Sequence, residues 1–384
     1  NVSVRWRLDG NVSDDTIETA FRSLIDRHEI LRTRFVDEDG DPLQEPLPSV
    51  SFKPNVVDLR HLPEVKRVPE ALELGAREAR LIFDISSAPL LRASVARLAD
   101  DQTIITMTIH HIATDGWSMG ILVREFGELV AAISEARSAD LPPLELQYAD
   151  FCLWQKEDMA SRGFAADRAY WSRQLAGLQY FEVAPDKTRP ATRTSKGDIR
   201  SRLLPRDLTL SLETFSRSQG CTLFATVAAA LAAALRHVTG KDEIVVGTQV
   251  AGREEIELEP IVGLFINSLV LRFDAARDPV MSSLVGRCAD VIREALIHQR
   301  MPFELLVEML KPKRDLGRTP LYSVNLVVQR AFVETARYGD LELTAIPSPS
   351  CGSLYDLHFF MVERPEGWRL SCEYNTDLFL ASTV

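Results

Sequence analysis

The stretch Thr103–Gly116, which reads TIITMTIHHIATDG, is the most informative part of this 384-residue chain. Its first seven residues form an apolar run that predicts a β-strand, and a helical pattern follows its last residue. Between strand and helix lie two adjacent histidines, His110 and His111, and then the pair Asp115 and Gly116. The imidazoles are therefore expected where a strand ends beside the positive N-terminus of a helix, a place where rigid scaffolds often present chemistry.

Strand and helix patterns extend upstream of this stretch. Asp14–His28 has apolar residues at helical spacing, and Ser13 is suited to cap that helix. The alternation in Ile30–Val36 predicts a strand, and Leu90–Leu98 is expected to form a hairpin with the apolar run of the histidine stretch. The first half of the chain therefore mixes helices and strands without the strict alternation of a parallel fold.

The second half repeats this kind of order after a polar, proline-bearing segment at Pro185–Lys196. A strand at Ile199–Leu204 is followed by a helix at Leu223–His237, which Gly240 is suited to end. The fold class is therefore predicted as mixed α/β (α+β) in two lobes of similar size. The predicted domains are residues 1–180, which carry the histidine pair, and residues 181–384.

Composition limits the partners of this chain. The net charge of −11 argues against nucleic acid, because phosphate binding requires a basic face. No apolar run reaches the roughly 18 residues that a membrane span needs, so no membrane is expected as a partner. Five widely spaced cysteines without a CxxC pair indicate reduced thiols and a cytoplasmic protein. Because the chain starts at Asn1 rather than at Met, it is expected to be part of a longer polypeptide.

The histidine pair allows several uses when it is considered by itself. Consecutive residues at a strand end point to opposite sides, so one imidazole is expected inside the fold and the other toward an open face. A purely structural pair is the simplest interpretation. A metal site lacks a third ligand at helical spacing, and no HExxH, GxSxG, P-loop or GxGxxG motif is present. A general base or orienting histidine without a protein nucleophile suits direct acyl transfer between two bound substrates.

The stretch HHxxxDG, followed by Trp117-Ser118, resembles the condensation domains of nonribosomal peptide synthetases. Further segments resemble other motifs of that family in the family's order: Arg27–Phe35, Tyr148–Trp154, Tyr170-Trp171, Gly247–Leu269, His298–Glu304 and Arg314–Tyr322. Two departures stand out. The family's first motif is not in this chain, and the fifth motif has Gly252-Arg253 where Asn-Arg is common.

The resemblance implies the chloramphenicol-acetyltransferase-like fold, with two lobes in a V around a central substrate tunnel. It also implies crossover segments near residues 249–263 and 346–356 that close the tunnel. The implied reaction is peptide bond formation between a donor aminoacyl or peptidyl thioester and an acceptor aminoacyl thioester. Both substrates are expected on the phosphopantetheine of upstream donor and downstream acceptor carrier proteins, beside an adenylation domain, with no cofactor bound covalently to this chain.

The resemblance also assigns roles to individual residues. His111 is expected to orient the attacking amine and to accept its proton, and the backbone of Gly116 to polarise the thioester. Structural roles are expected for His110, Asp115 and Arg253, with Asp115 and Arg253 forming a buried ion pair. Substrate-tunnel contacts are expected for Trp117 and Ser118, and no metal ligands are expected.

Three alternative functions remain open at this point. An epimerisation domain shares HHxxxDG and the fold, although the residues after Gly116 are closer to the condensation pattern. A catalytically silent recruitment module would only dock another enzyme. A stand-alone CoA-dependent acyltransferase is the third alternative.

Overall fold

The computed structural model describes residues 1–276, 280–331, 335–348, 352–364 and 366–384. The chain divides into two compact units. The first contains Asn1–Ser161, Arg253–Phe265 and Phe332–Cys351, and the second contains Arg162–Gly252, Ile266–Ala331 and Gly352–Val384. The predicted division at residue 180 came with crossover segments near residues 249–263 and 346–356, and Arg253–Phe265, which overlaps the first of these, belongs to the first unit.

Strands and helices alternate irregularly through the first part of the chain. In order they are β1 (Val2–Asp9), α1 (Asp14–Arg27), β2 (Thr33–Glu38), β3 (Asp41–Pro46), β4 (Asn55–Asp58), α2 (Glu64–Arg80), β5 (Leu91–Ala99), β6 (Gln102–Ile109), α3 (Gly116–Ser134) and α4 (Tyr148–Arg162).

The remaining elements continue the same mixture. They are α5 (Ala165–Gln174), β7 (Gly197–Leu203), α6 (Arg206–Ser218), α7 (Leu223–Thr239), β8 (Glu243–Val250), β9 (Asn267–Asp274), α8 (Met281–Ile297), α9 (Phe303–Leu310), β10 (Val324–Arg330), β11 (Ala336–Tyr338), β12 (Leu341–Ile346), β13 (Leu357–Arg364) and β14 (Gly367–Asn375).

The first unit is built on a sheet with the strand order β11-β12-β1-β6-β5-β4. Strand β1 pairs antiparallel with β6 on one side and with β12 on the other. The core against this sheet includes Trp6 and Phe126, whose ring centroids lie 5.3 Å apart, and Phe21, 4.6 Å from Phe126. Because β6 is buried along most of its length between β1 and β5, its C-terminal end is held rigidly where the histidine pair begins.

The second unit contains a sheet with the order β7-β14-β13-β10-β8-β9. Strand β10 is parallel to both β8 and β13, and the outer strands are antiparallel to their neighbours. Helix α7 ends at Gly240, whose φ of +69° is the left-handed conformation predicted for this position. Within the described residues, no single helix is both long and apolar enough to cross a membrane, although the bent pair α6 and α7 passes that test together.

Several local predictions are confirmed and others are wrong. Ser13 caps α1 by accepting the Thr16 amide, as predicted. The strand predicted at Ile30–Val36 is wrong at its start, because a 3₁₀ turn at Glu29–Arg32 buries both Ile30 and Leu31. Helix α4 has no counterpart among the predicted elements.

Four of the five cysteines lie in the described part of the chain as free thiols. They are Cys152, Cys221, Cys288 and Cys372. Cys288 and Cys372 are buried, whereas Cys152 and Cys221 are only half-buried, and Cys351 lies outside the described residues.

Candidate functional site

The histidine pair lies in a tight connection between β6 and α3. Strand β6 ends at Ile109, and His110 has extended backbone angles (φ −65°, ψ 135°). A single 3₁₀ turn then covers His111–Ala113, and α3 begins at Gly116. The prediction that the pair lies between a strand end and a helix start is confirmed. The two imidazoles have different hydrogen-bond partners, because His110 precedes the turn and His111 is its first residue.

His110 acts as the N-terminal cap of this turn. Its Nδ1 accepts a hydrogen bond from the Ile112 amide at 3.1 Å, so the neutral ring carries its proton on Nε2. The ring of Phe83 meets the imidazole edge to face, with 6.1 Å between centroids. Burial lowers the pKa of His110, which favours the neutral form that this cap requires.

His111 is held in the complementary tautomer. Its Nδ1 lies 2.8 Å from the carbonyl oxygen of Thr114, and because a carbonyl can only accept, Nδ1 carries the proton and donates it. The neutral imidazole therefore keeps a lone pair on Nε2. His111 is half-buried, so this nitrogen belongs to a side chain that is only partly shielded from solvent.

Asp115 is fully buried at the start of α3. One carboxylate oxygen accepts the Ser118 amide at 2.8 Å, which caps the helix, and the other accepts the Phe265 amide at 3.1 Å. The Arg253 guanidinium lies slightly further away, with Nη2 at 3.4 Å from the nearer carboxylate oxygen. Asp115 thus ties the helix that follows the histidines to the returning segment Arg253–Phe265.

Arg253 completes this buried cluster. Its Nη1 donates to the carbonyl oxygens of Leu258 and Ile261, and its Nη2 donates to Ser118 Oγ at 2.9 Å. The guanidinium carbon lies 3.8 Å from the centroid of the Phe265 ring. Burial lowers the pKa of Arg253, while the charge of Asp115 acts in the opposite direction. The structure therefore brings the predicted pair together, and both charges are inaccessible to a substrate.

The two residues predicted as tunnel contacts occupy different environments. Ser118 is fully buried, and its hydroxyl accepts from Arg253 and the Gly263 amide while donating to the Gly263 carbonyl at 2.9 Å. The tunnel role of Ser118 is therefore corrected to a structural one, because its hydrogen-bonding capacity is used within the protein. Trp117 is 41% exposed, and its Nε1 donates to the Glu259 carbonyl at 3.0 Å. Gly116 is the first residue of α3, where helix geometry leaves backbone N–H groups unpaired.

Two further residues at this site lie in segments that resemble family motifs, but no contact between them was predicted from the sequence. Tyr148 donates through its hydroxyl to the Leu264 carbonyl at 2.8 Å, and its ring contacts Phe265. Gly263 has no room for a side chain, since a Cβ there would lie 2.0 Å from the Tyr148 ring. Neither contact has a local signal, because both join residues more than a hundred positions apart. The predicted first crossover, residues 249–263, overlaps this segment, and the second includes residues outside the described ones.

Two further histidines in the family-like motifs have carboxylate partners. His28 Nε2 lies 2.7 Å from the Glu125 carboxylate, which Arg27 also contacts at 3.0 Å. His298 Nδ1 lies 2.7 Å from Asp167. Among the residues that the structure describes, no cluster of three or more histidine, cysteine or carboxylate side chains has a geometry suited to a metal ion.

The fold and the HHxxxDG site define a class of protein. The model of the condensation-domain family matches residues 1–384, and the chain therefore belongs to that family. Its relatives are components of nonribosomal peptide synthetases. One of them, a linear gramicidin synthase polypeptide from Brevibacillus parabrevis, is 35% identical over 387 residues that include the whole of this chain. The chain spans 5% of the length of that relative.

Solved structures agree with this assignment. A complex of the X-domain and OxyB from teicoplanin biosynthesis contains a chain that is 26% identical, with a TM-score of 0.86, covering 100% of this chain and 84% of that one. The first condensation domain of the calcium-dependent antibiotic synthetase, in complex with a substrate analogue, has a TM-score of 0.82 at 21% identity, covering 99% and 86%. The chain thus has the mixed α/β, two-lobe chloramphenicol-acetyltransferase-like fold of condensation domains. Such domains form amide bonds and work with carrier-protein phosphopantetheine.

Proposed function

We propose that this chain joins a donor aminoacyl or peptidyl group to the α-amine of an acceptor amino acid, with both substrates delivered as thioesters on carrier proteins. In this reaction the amine nitrogen attacks the thioester carbonyl carbon, and the carbon–sulfur bond then breaks. The proton that leaves the nitrogen ends on the departing sulfur. The upstream and downstream carriers and a neighbouring adenylation domain are the partners of this proposal, and the cytoplasm is its location.

The observation that carries the proposal is the tautomer of His111. Because Nδ1 donates to the Thr114 carbonyl, the Nε2 lone pair is available to a hydrogen on the attacking amine. A free α-amine has a pKa near 8, so part of it is neutral at about pH 7 and needs only modest activation. Alignment of the amine and transfer of its proton to Nε2 are therefore the contributions expected of His111.

The backbone of Gly116 is the second element of the proposal. Its N–H group stands at the positive end of α3, where an oxygen that gains negative charge is stabilised. The thioester carbonyl oxygen gains such charge in the tetrahedral intermediate. Trp117, which is partly exposed beside Gly116, is a proposed substrate contact.

The test uses two substitutions that separate the nitrogens of His111. His111→Asn places an amide N–H near the Nδ1 position and can keep the bond to Thr114, but it has no group at Nε2. His111→Gln reaches the Nε2 position with an amide that cannot accept the amine's proton. Donor and acceptor are loaded on separate carriers, and the dipeptidyl carrier is measured by intact-protein mass spectrometry. We expect both variants to be slower by about 10²- to 10⁴-fold, and near-normal turnover would remove His111 from the mechanism.

Docking of another enzyme is a second candidate, favoured by the similarity to an X-domain that was solved together with OxyB. A recruitment module would retain a partner enzyme in a pulldown but form no peptide from loaded carriers. Epimerisation is distinguished by the same reagents. Loss of α-carbon configuration in a carrier-bound donor without any acceptor would favour it over condensation.

A further inference from the structure

An aromatic and cationic stack reaches the first histidine of the motif from strand β5. The guanidinium carbon of Arg92 lies 3.7 Å from the centroid of the Phe83 ring. The same ring meets His110 edge to face, at an interplanar angle of 81°. Arg92 lies on β5 opposite Thr108 of β6, so the stack rests on the strand pair that also leads into the histidines.

Arg92 fixes the position of Phe83 through the backbone. Its terminal nitrogens donate to the carbonyl oxygens of Leu81 at 2.5 Å, Ile82 at 3.2 Å and Glu78 at 3.4 Å. Carbonyls at the end of a helix have no partner within the helix, so a guanidinium is well suited to bind those that follow α2. Asn1 also donates to the Leu81 carbonyl, at 2.7 Å. Phe83 therefore follows directly on a segment whose backbone carbonyls are hydrogen-bonded by Arg92.

The orientation of His110 matters because one ring nitrogen is a cap. The second side-chain torsion of histidine has a broad energy profile, so the packing around the ring selects its orientation. Here the selected orientation directs Nδ1 at the Ile112 amide and closes the turn His111–Ala113. The closed turn then places His111 Nδ1 within hydrogen-bonding distance of the Thr114 carbonyl.

We propose that Phe83 and Arg92 are positioning residues for peptide bond formation, which hold His110 in the orientation that caps the turn carrying His111. This inference rests on the proposed function of His111. Neither residue belongs to the motifs that resemble the condensation family, and neither was identified from the sequence. They act through His110 and contact no reacting atom in this proposal.

The first test reads the imidazole directly and does not depend on activity. The protein is labelled with ¹⁵N in its histidine rings, and a His110→Gln variant assigns the His110 signals. We expect wild-type His110 to show an unprotonated Nδ1 and a protonated Nε2 at neutral pH. Phe83→Leu keeps apolar volume but removes the ring, and it is expected to give a mixture of tautomers. Phe83→Tyr keeps the ring and is expected to retain the wild-type signals.

The second test compares the same variants in the loaded-carrier assay. Phe83→Leu is expected to lower kcat about 10-fold with little change in KM for the acceptor carrier, because a small misplacement of a catalytic group reduces rate more than binding. Phe83→Tyr should restore most of the rate. Phe35→Leu is the matched control, since Phe35 is half-buried against the same core and no ring contact to His110 is found for it among the described residues.

The outcomes distinguish this inference from the proposed function. A Phe83→Leu variant with the wild-type His110 tautomer and the kcat of Phe35→Leu would overturn the inference. If the tautomer changes as expected but even the wild-type protein forms no peptide, the proposed function fails while the stack's control of His110 stands. If Phe83→Leu does not fold, Arg92→Met and Arg92→Lys carry both tests. Arg92→Met is expected to resemble Phe83→Leu, whereas unchanged His110 signals in a folded Arg92→Met would again overturn the inference.

Discussion

Replacing Asp115 by alanine should chiefly destabilise the fold. The substitution removes the cap of α3 and the acceptor for the Phe265 amide, and it leaves the Arg253 guanidinium buried without its counter-charge. Loss of a helix cap costs about 1 kcal/mol. Breaking a buried pair by removing one partner costs about 3–5 kcal/mol. Since these effects overlap at one side chain, we expect a total near the upper end of the second range.

The assay is urea unfolding followed by tryptophan fluorescence and circular dichroism. Ser13→Ala is the matched control, because Ser13 caps α1 at the surface without a buried partner, and it should cost only about 1 kcal/mol. Asp115→Asn keeps an acceptor oxygen and should fall between the two, at about 1.5–3 kcal/mol. In the double variant Asp115→Ala with Arg253→Met, no charge is left unpaired, so the loss should be smaller than the sum of the single losses.

A stable Asp115→Ala variant would contradict this prediction. If Asp115→Ala unfolds at the same urea concentration as Ser13→Ala, the buried charge does not contribute as described. If such a stable variant has also lost peptide formation, Asp115 takes part in the chemistry, and the structural role assigned to it is wrong.

Two further predictions concern a glycine and a half-buried histidine. Gly263→Ala should destabilise the protein by about 1–3 kcal/mol, because a Cβ would overlap the Tyr148 ring, which is itself fixed by its hydroxyl. The control is Gly286→Ala in α8, which has open space around it. In the same urea assay this variant should be neutral or stabilising by up to ~1 kcal/mol. Burial lowers the pKa of His358 to about 3, below its usual value near 6.5, so the unfolded chain binds this proton more readily and stability falls as the pH drops through 6.5 toward 3. Between pH 6.5 and 5 the loss should be about 1.6 kcal/mol, and a folded His358→Leu variant with the same pH dependence as the wild type would contradict it.

Local features of this fold follow well from the sequence. The helix after Ser13, the hairpin of β5 and β6 and the end of α7 at Gly240 each depend on neighbours in the chain, and periodicity and capping predict them. The turn at Glu29–Arg32 was missed because it has only four residues, too few to show a helical period.

The site was only partly predictable for a different physical reason. The position of the histidines and the pairing of Asp115 with Arg253 follow from motifs, but the tautomers depend on which carbonyl or amide each ring meets in a short turn. Ser118 shows most clearly that a motif does not reveal long-range contacts. Its place in the motif suggested a substrate contact, whereas bonds to residues some 140 positions away bury it.

The position of β12 beside β1 affects how the chain emerges during synthesis. Strand β1 is made first, but its neighbour β12 begins at Leu341, about 180 residues after the first long segment of this unit ends at Ser161. At ribosomal rates of about 5–20 residues per second, one edge of β1 stays unpaired for roughly 10–40 seconds after Ser161 has been made. An unpaired strand edge is a template for association with other chains. We therefore expect nascent chains stalled after residue 161 to retain chaperones that are released once residue 346 has left the ribosome, and equal chaperone binding at both lengths would argue against this.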